Sequence, residues 1–227
     1  MTPTLRARVT AELVGTALLV ATVVGSGVMA TRLTDDVALQ LLANSLATGA
    51  VLVALIVSLQ PVSAAFNPVV TLAEVLLRLV TPKAAGALVA AQVVGGALGA
   101  VIANLMFDLD AVSIATRERT GSGLWLGEVV ATLGLLLVVF GCARAGRTDA
   151  IAWAVAGWIV AAYWFTSSTS FANPAVTIAR TLSDSFAGIS PTSVPMFVLM
   201  QVAGGGLAVA LLRLLHPTPS PLEAPLD

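Results

Sequence analysis

Asn67-Pro68-Val69-Val70-Thr71-Leu72-Ala73, in the first half of the chain, returns in the second as Asn173-Pro174-Ala175-Val176-Thr177-Ile178-Ala179. Asn followed by Pro marks a helix start: the Asn side chain caps free N–H groups, and Pro takes the first helical position, where its missing donor costs nothing. One copy alone reads equally well as a turn. Two copies at matched positions, each followed by Val-Thr, read as paired helix starts. The apolar stretches they open, about 67–79 and 173–183, fall short of the roughly 20 residues that a membrane-crossing helix uses. Pro61, Pro68 and Pro82 punctuate the first, and Ser167, Ser168, Thr169, Ser170 and Pro191 flank the second. Both are therefore predicted to be re-entrant half-helices. Irregular backbone is tolerated at membrane depth only where protein buries it or where it lines a water-filled cavity, so the pair points to a pore or a solute site.

Everything around these segments argues for a bilayer. The chain has 227 residues, 58% of them hydrophobic and 10% charged, and a mean hydropathy of +0.97, which a water-soluble domain rarely approaches. Six longer apolar stretches, about 9–30, 37–59, 84–107, 123–143, 150–168 and 192–215, can each cross a hydrocarbon core about 30 Å thick. The basic lead from Met1 to Arg8 runs straight into the first of them without a clear small-residue cleavage site, and reads as the start of a span. Two further repeats accompany the Asn-Pro pair. Ala11-Glu12-Leu13-Val14-Gly15-Thr16 recurs as Gly127-Glu128-Val129-Val130-Ala131-Thr132, and Gln92-Val93-Val94-Gly95-Gly96 recurs as Gln201-Val202-Ala203-Gly204-Gly205. The three matches keep their order and define halves of about 9–107 and 123–215. Each half has three spans, so the second must enter the membrane inverted, and the two half-helices then meet near the midplane from opposite faces. Residues 1–215 are expected to form a single membrane domain, and 216–227, rich in proline, a disordered cytoplasmic tail.

Composition also excludes functions. The 11 Lys+Arg balance 12 Asp+Glu, for a net charge of -1, which leaves no electrostatic case for nucleic acid. With one cysteine, Cys142, and one histidine, His216, the chain forms no internal disulfide and no His/Cys metal site. No cofactor is expected. No nucleophile–base set appears either, so the chain does not read as an enzyme. Cys142 reads as a packed thiol, with a mercury- or redox-sensitive role as the alternative. With cytoplasmic termini, the inner side carries Arg6, Arg8, Arg78, Lys83, Arg144, Arg147 and Arg213, and the outer side Arg32, Arg117, Arg119 and Arg180. The positive-inside rule favours that orientation.

The chemistry concentrates on few side chains. Asn67 and Asn173, each capping a half-helix through its oxygen, are expected to leave their amide NH₂ groups free for the pore, where two positive helix ends also converge. Such a centre holds a passing hydroxyl or water oxygen and repels cations and protons. Glu12 and Glu128 are the acids well inside spans. They read either as a proton relay or, better matched to their symmetric positions, as acceptors that anchor the half-helix loops. The glycines Gly95, Gly96, Gly99, Gly204, Gly205 and Gly206 read as close helix packing, and Trp125 and Trp153 as interface anchors.

The pair Asn67-Pro68-Val69 and Asn173-Pro174-Ala175, the glutamates of spans one and four, and the Gln-plus-Gly-Gly stretches of spans three and six closely resemble the aquaporin and glycerol-channel superfamily over essentially the whole chain to about Leu215. The resemblance implies an all-α membrane protein with six transmembrane helices plus two half-helices, one pore per subunit, and a homotetramer. Tyr163-Trp164-Phe165-Thr166 and Thr169-Ser170-Phe171-Ala172 resemble a bacterial branch associated with arsenic detoxification.

The departures decide selectivity. Val69 stands where Ala is common and is expected to narrow or dry the waist. The loop 61–66 before it is one residue shorter than usual and lacks the usual His. Position 176, where water-selective members carry the arginine of the outer filter, is Val176. Register from the motifs assigns the remaining filter positions to Thr48, Ala161 and Ser170, which gives a wide, weakly polar outer constriction without an arginine. Arg117 and Arg119 read as a solvated loop, or alternatively as a replacement cation dipping into the mouth. The expected function is a passive channel in the cell inner membrane for water, glycerol-like polyols and neutral metalloid hydroxides such as arsenous acid. The alternatives are a strictly water-selective channel and a proton-coupled secondary transporter using Glu12 and Glu128.

Overall fold

The computed structural model describes residues 3–216, so all of the expected tail except His216 lies outside the described residues. Six long helices carry the six apolar stretches: α1 (Leu5–Leu33), α2 (Val37–Leu59), α4 (Pro82–Met106), α5 (Ser122–Arg144), α6 (Ile151–Phe165) and α8 (Val194–Leu215). Each, with the one-turn lead-ins at Thr148–Ala150 and Pro191–Ser193, is long and apolar enough to cross a membrane. Two short helices sit between them, α3 (Pro68–Leu76) and α7 (Pro174–Ala179), the second continued by a tighter turn at Arg180–Leu182. Side-chain caps start several elements. Thr4 accepts from the Ala7 amide, Asp36 from those of Ala38 and Leu39, and Thr81 from that of Ala84, ahead of Pro82. These caps satisfy donors that a helix start otherwise leaves open.

The closest pairings are α1 with α4 and α5 with α8. Between helices in lipid there is little hydrophobic contrast, so backbone approach and dispersion supply the attraction. Gly95 and Gly99 of α4 let it close on α1: a Cβ there would lie 2.3 Å from the Leu13 carbonyl oxygen and 2.2 Å from that of Ala17. Gly204 plays the same part in α8, where a Cβ would lie 2.5 Å from the Val129 carbonyl oxygen of α5. The short helices are exchanged across the bundle, with α3 packing on α4 and α8, and α7 on α4, α8 and α1.

Before each short helix the chain turns sharply through residues of positive φ, Phe66 (49°) and Ala172 (48°). A residue other than glycine held there carries strain of about 1–3 kcal/mol. Two carboxylates offset it. Glu12, fully buried, accepts from the Ala65 amide at 2.9 Å, the Phe66 amide at 2.7 Å, the Ser63 hydroxyl at 2.6 Å and the Gln92 amide at 2.8 Å. Glu128, also fully buried, accepts from the Phe171 and Ala172 amides, each at 2.9 Å, and from Gln201. Gln92 and Gln201 in turn donate to Thr71 and Thr177 on the short helices, both at 2.9 Å. Trp125, expected at a membrane interface, packs against the cluster of Phe171, Ile189 and Phe197, where α5 begins beside the loop that leads into α7. Trp153 is exposed.

Two outcomes follow for stability. Gly95→Ala and Gly204→Ala should each lower the thermal midpoint in detergent, at a cost of about 1–3 kcal/mol for the forced separation, whereas Gly206→Ala, with open space around it, should leave it unchanged. Glu128→Ala strands two buried backbone donors at about 1–3 kcal/mol apiece and should destabilise more than Glu128→Gln, which keeps one acceptor.

Candidate functional site

The two Asn-Pro corners meet in the interior. Asn67 Oδ1 accepts from the Val69 amide at 2.9 Å, and Asn173 Oδ1 from the Ala175 and Val176 amides at 3.0 and 3.3 Å. Their amide nitrogens cross over. Asn67 Nδ2 donates to the Ala172 carbonyl and Asn173 Nδ2 to the Phe66 carbonyl, both at 2.7 Å. An amide NH₂ has two hydrogens, so each Asn spends one on the opposite corner and keeps one for the interior. The sequence reading left both free. The left-handed turn at Phe66 and Ala172 is what swings each carbonyl within reach.

A cavity of about 90 Å³ runs past both asparagines, with room for only a few water-sized molecules at a time. Its walls are mostly aliphatic, including Leu19, Val23, Leu52, Ile56, Leu135 and Ile159. Towards the end that carries the termini it shares Ile56, Ala64, Ala65, Val70, Val139 and Ile151 with a wider vestibule of about 460 Å³. That vestibule is lined by Arg8, Gln60, Ser63 and Glu74 among others, and Glu74 Oε2 is buried there without a hydrogen-bond partner.

The opposite end is framed by two loops, 107–121 and 183–190. Ser113 and Ala115 donate to the Leu182 and Thr181 carbonyls, the Thr116 amide and hydroxyl to Asp184, and Arg117 to the Phe186 carbonyl. Thr48, Tyr163, Ser170, Val176 and Arg180 line the cavity here. The Thr48 hydroxyl donates its one hydrogen to the Asn44 carbonyl at 2.8 Å, so across the 3.2 Å to Tyr163 it is the tyrosine that donates. The Ser170 hydroxyl is buried and has no protein partner. Arg180, 3% exposed, lays its guanidinium 3.4 Å over the Phe171 ring centre and donates from Nε to the Ala187 carbonyl.

Three expectations change. Ala161, assigned to the outer filter, is exposed on the outside of the bundle and does not line the cavity; Tyr163, two residues on, does. Val69 does not narrow the waist. Its side chain is buried in the notch left by Gly205, and Val70, the partner of Val176 three residues after its own Asn, faces the cavity instead. The end of the cavity is also not without arginine, since Arg180 stands in its wall. Neither Arg117 nor Arg119 does. Arg117 is exposed, while Arg119 is 7% exposed, donates to the Gly188 carbonyl and stacks 5.0 Å from the Phe171 ring centre. Burial, then the neighbouring Arg180 and Arg117, push the Arg119 guanidinium down to about 9, which leaves it charged at neutral pH. Sequence reasoning passed over Tyr163, Val70, Glu74 and Arg180. A signal existed for the last two, which stand seven residues after Asn67 and Asn173 respectively.

Comparison with known proteins gives a consistent setting for this geometry. The chain is 49% identical over 212 residues to the aquaglyceroporin AqpS of Rhizobium meliloti (strain 1021), covering 92% of this chain and 91% of that protein. Its fold is similar to that of the aquaglyceroporin from Plasmodium falciparum, with a TM-score of 0.73 at 16% identity over 94% of this chain and 98% of that one. It is more distantly similar to an FNT family ion channel, with a TM-score of 0.55 at 14% identity over 93% and 90% of the two chains. The family model described as major intrinsic protein matches residues 2–149 and 143–224. With six apolar helices, two capped half-helices and a family match along nearly its whole length, this chain belongs to the major intrinsic protein family.

Proposed function

We propose that the protein is a passive channel for small uncharged solutes: water, glycerol-like polyols and neutral metalloid hydroxides such as arsenous acid. The observation that carries this reading is the narrow aliphatic tunnel broken at its centre by one remaining N–H from each of Asn67 and Asn173. A neutral solute can trade its hydration for those donors one molecule at a time. A cation meets donors and two positive helix ends and finds no compensating acceptor charge. The aquaglyceroporin relative supports polyols as one solute class. We read the two halves as an inverted repeat, which the matched Glu–loop, Gln–Thr and Asn–carbonyl bonds support. We read the protein as a homotetramer of the cell inner membrane with both termini cytoplasmic and the loop end facing out.

A strictly water-selective channel is the second reading, favoured by the small cavity and by Tyr163 and Arg180 in its wall. The transporter reading is weaker, because Glu12 and Glu128 are each committed to backbone donors that protonation would release. Stopped-flow flux into proteoliposomes separates the readings. The channel reading expects non-saturating, downhill flux of water, glycerol and arsenite, with no uphill movement driven by a pH difference. Conduction of water alone favours the second reading, and proton-driven uphill flux overturns the first.

Two substitutions sharpen the test. Val176→Arg adds a planar cation beside Thr48, Tyr163 and Ser170 and should reduce glycerol and arsenite flux by a much larger factor than water flux. Asn173→Asp keeps the helix cap but removes the donor to the Phe66 carbonyl and sets a carboxylate in the tunnel. Neutral-solute flux should then fall sharply or cations be admitted, and unchanged flux in a folded variant counts against the central site.

A further inference from the structure

We propose that Arg180, together with the Tyr163 and Ser170 hydroxyls, is the recognition point at the loop end of the tunnel. It serves as a fixed cation in the wall that turns back cations and protons and holds the acceptor oxygens of an entering solute. This rests on the channel reading above and assigns its selectivity to a residue outside the four expected filter positions.

The argument starts from the cost of the charge. Arg180 is almost fully buried in a span-rich bundle, where a guanidinium is retained only if it is paired or faces a polar path. No carboxylate lies within ion-pair distance of it among the described residues. Glu128, the nearby acid, is occupied by the Phe171 and Ala172 amides and by Gln201. A second guanidinium, Arg119, stacks against the same Phe171 ring and adds positive charge. What compensates Arg180 is the Phe171 ring face, the Ala187 carbonyl, the carbonyl end of the short helix α7 that it terminates, and the cavity it lines. Its position is fixed, because Nε is tied to a backbone carbonyl and the plane rests on an aromatic ring.

Around it the wall offers a matching set. Ser170 Oγ is buried with no protein partner, and Tyr163 donates its hydrogen to Thr48 and keeps lone pairs for a solute hydroxyl. A cation, an unpaired hydroxyl and a phenol oxygen suit a small hydroxylated solute, whose oxygens accept from Arg180 and whose hydroxyls donate to Ser170 and Tyr163. One turn of chain separates Arg180 from Val176, so the cation is displaced outward and the wall at Val176 stays apolar.

The test compares wild type, Arg180→Gln, Arg180→Lys and Ser170→Asp in proteoliposomes, reading proton and potassium leak alongside water and glycerol flux. Gln keeps a donor for the Ala187 carbonyl without the charge, and Lys keeps the charge. Ser170→Asp leaves the Arg180 anchor untouched and neutralises its field from within the cavity; Asp also tolerates the positive φ of 51° at that position. Arg180→Gln and Ser170→Asp should each raise proton leak roughly tenfold or more, a loss of about 1.4 kcal/mol of barrier, with Arg180→Lys close to wild type. If Arg180→Gln does not fold, Ser170→Asp decides. Unchanged leak with normal water and glycerol flux reduces Arg180 to a loop anchor and overturns this inference alone, whereas absence of solute flux in wild type overturns the channel reading instead.

Discussion

Four backbone N–H groups in the middle of the bundle, those of Ala65, Phe66, Phe171 and Ala172, govern the rest of the structure. They belong to chain that has left one element and not yet begun another, at a depth where lipid supplies no partners. Glu12 and Glu128 accept from all four. With these bonds the left-handed turns at Phe66 and Ala172 are held, each Asn caps its short helix, and each Asn nitrogen reaches the carbonyl of the opposite corner. The carboxylates sit in helices of different halves, and the reciprocal Asn bonds tie the two halves together where the two corners meet beside the cavity.

That arrangement needs helices closer together than ordinary side chains permit. Gly95, Gly99 and Gly204 bring α4 onto α1 and α8 onto α5, which sets Gln92 and Gln201 within reach of the carboxylates. Gly205 has a second consequence, since its missing side chain is the space that Val69 occupies. A substitution that looks like an obstruction of the tunnel is thereby absorbed into helix packing, and the waist is left to Val70 and Val176.

The two ends of the tunnel differ in their ionisable groups. At the loop end stand Arg180 and, against the same Phe171 ring, Arg119; at the terminal end the wider vestibule is lined by Glu74 and Arg8. Glu74 and Arg180 occupy equivalent places after their Asn residues, so a repeat that is symmetric in its capping and anchoring chemistry carries an acid at one end and a base at the other. Between them the wall is mostly aliphatic apart from the central asparagines.

The sequence by itself determined the elements whose signals are local or repeated. Runs of about 20 apolar residues set six spans, Asn-Pro set two helix starts, and the recurrence of Glu12 as Glu128 and Gln92 as Gln201 marked the anchors that the structure joins to the loops. Only the tertiary structure decided which side chains face the tunnel. Ala161 and Tyr163 are two residues apart on α6, about 200° around the helix, so a small error in counting across the non-helical stretch 166–172 exchanges the lipid-facing side for the inner wall. Val69 faces away from the tunnel because Gly205, distant in sequence, leaves room for it. Arg180 enters the wall because the chain after α7 turns back to offer the Ala187 carbonyl, while the loop before α7 offers the Phe171 ring. Pattern and capping are properties of neighbouring residues and can be read along the chain; the rotation of a helix about its axis is fixed by what packs against it, and that is settled only when the whole bundle has formed.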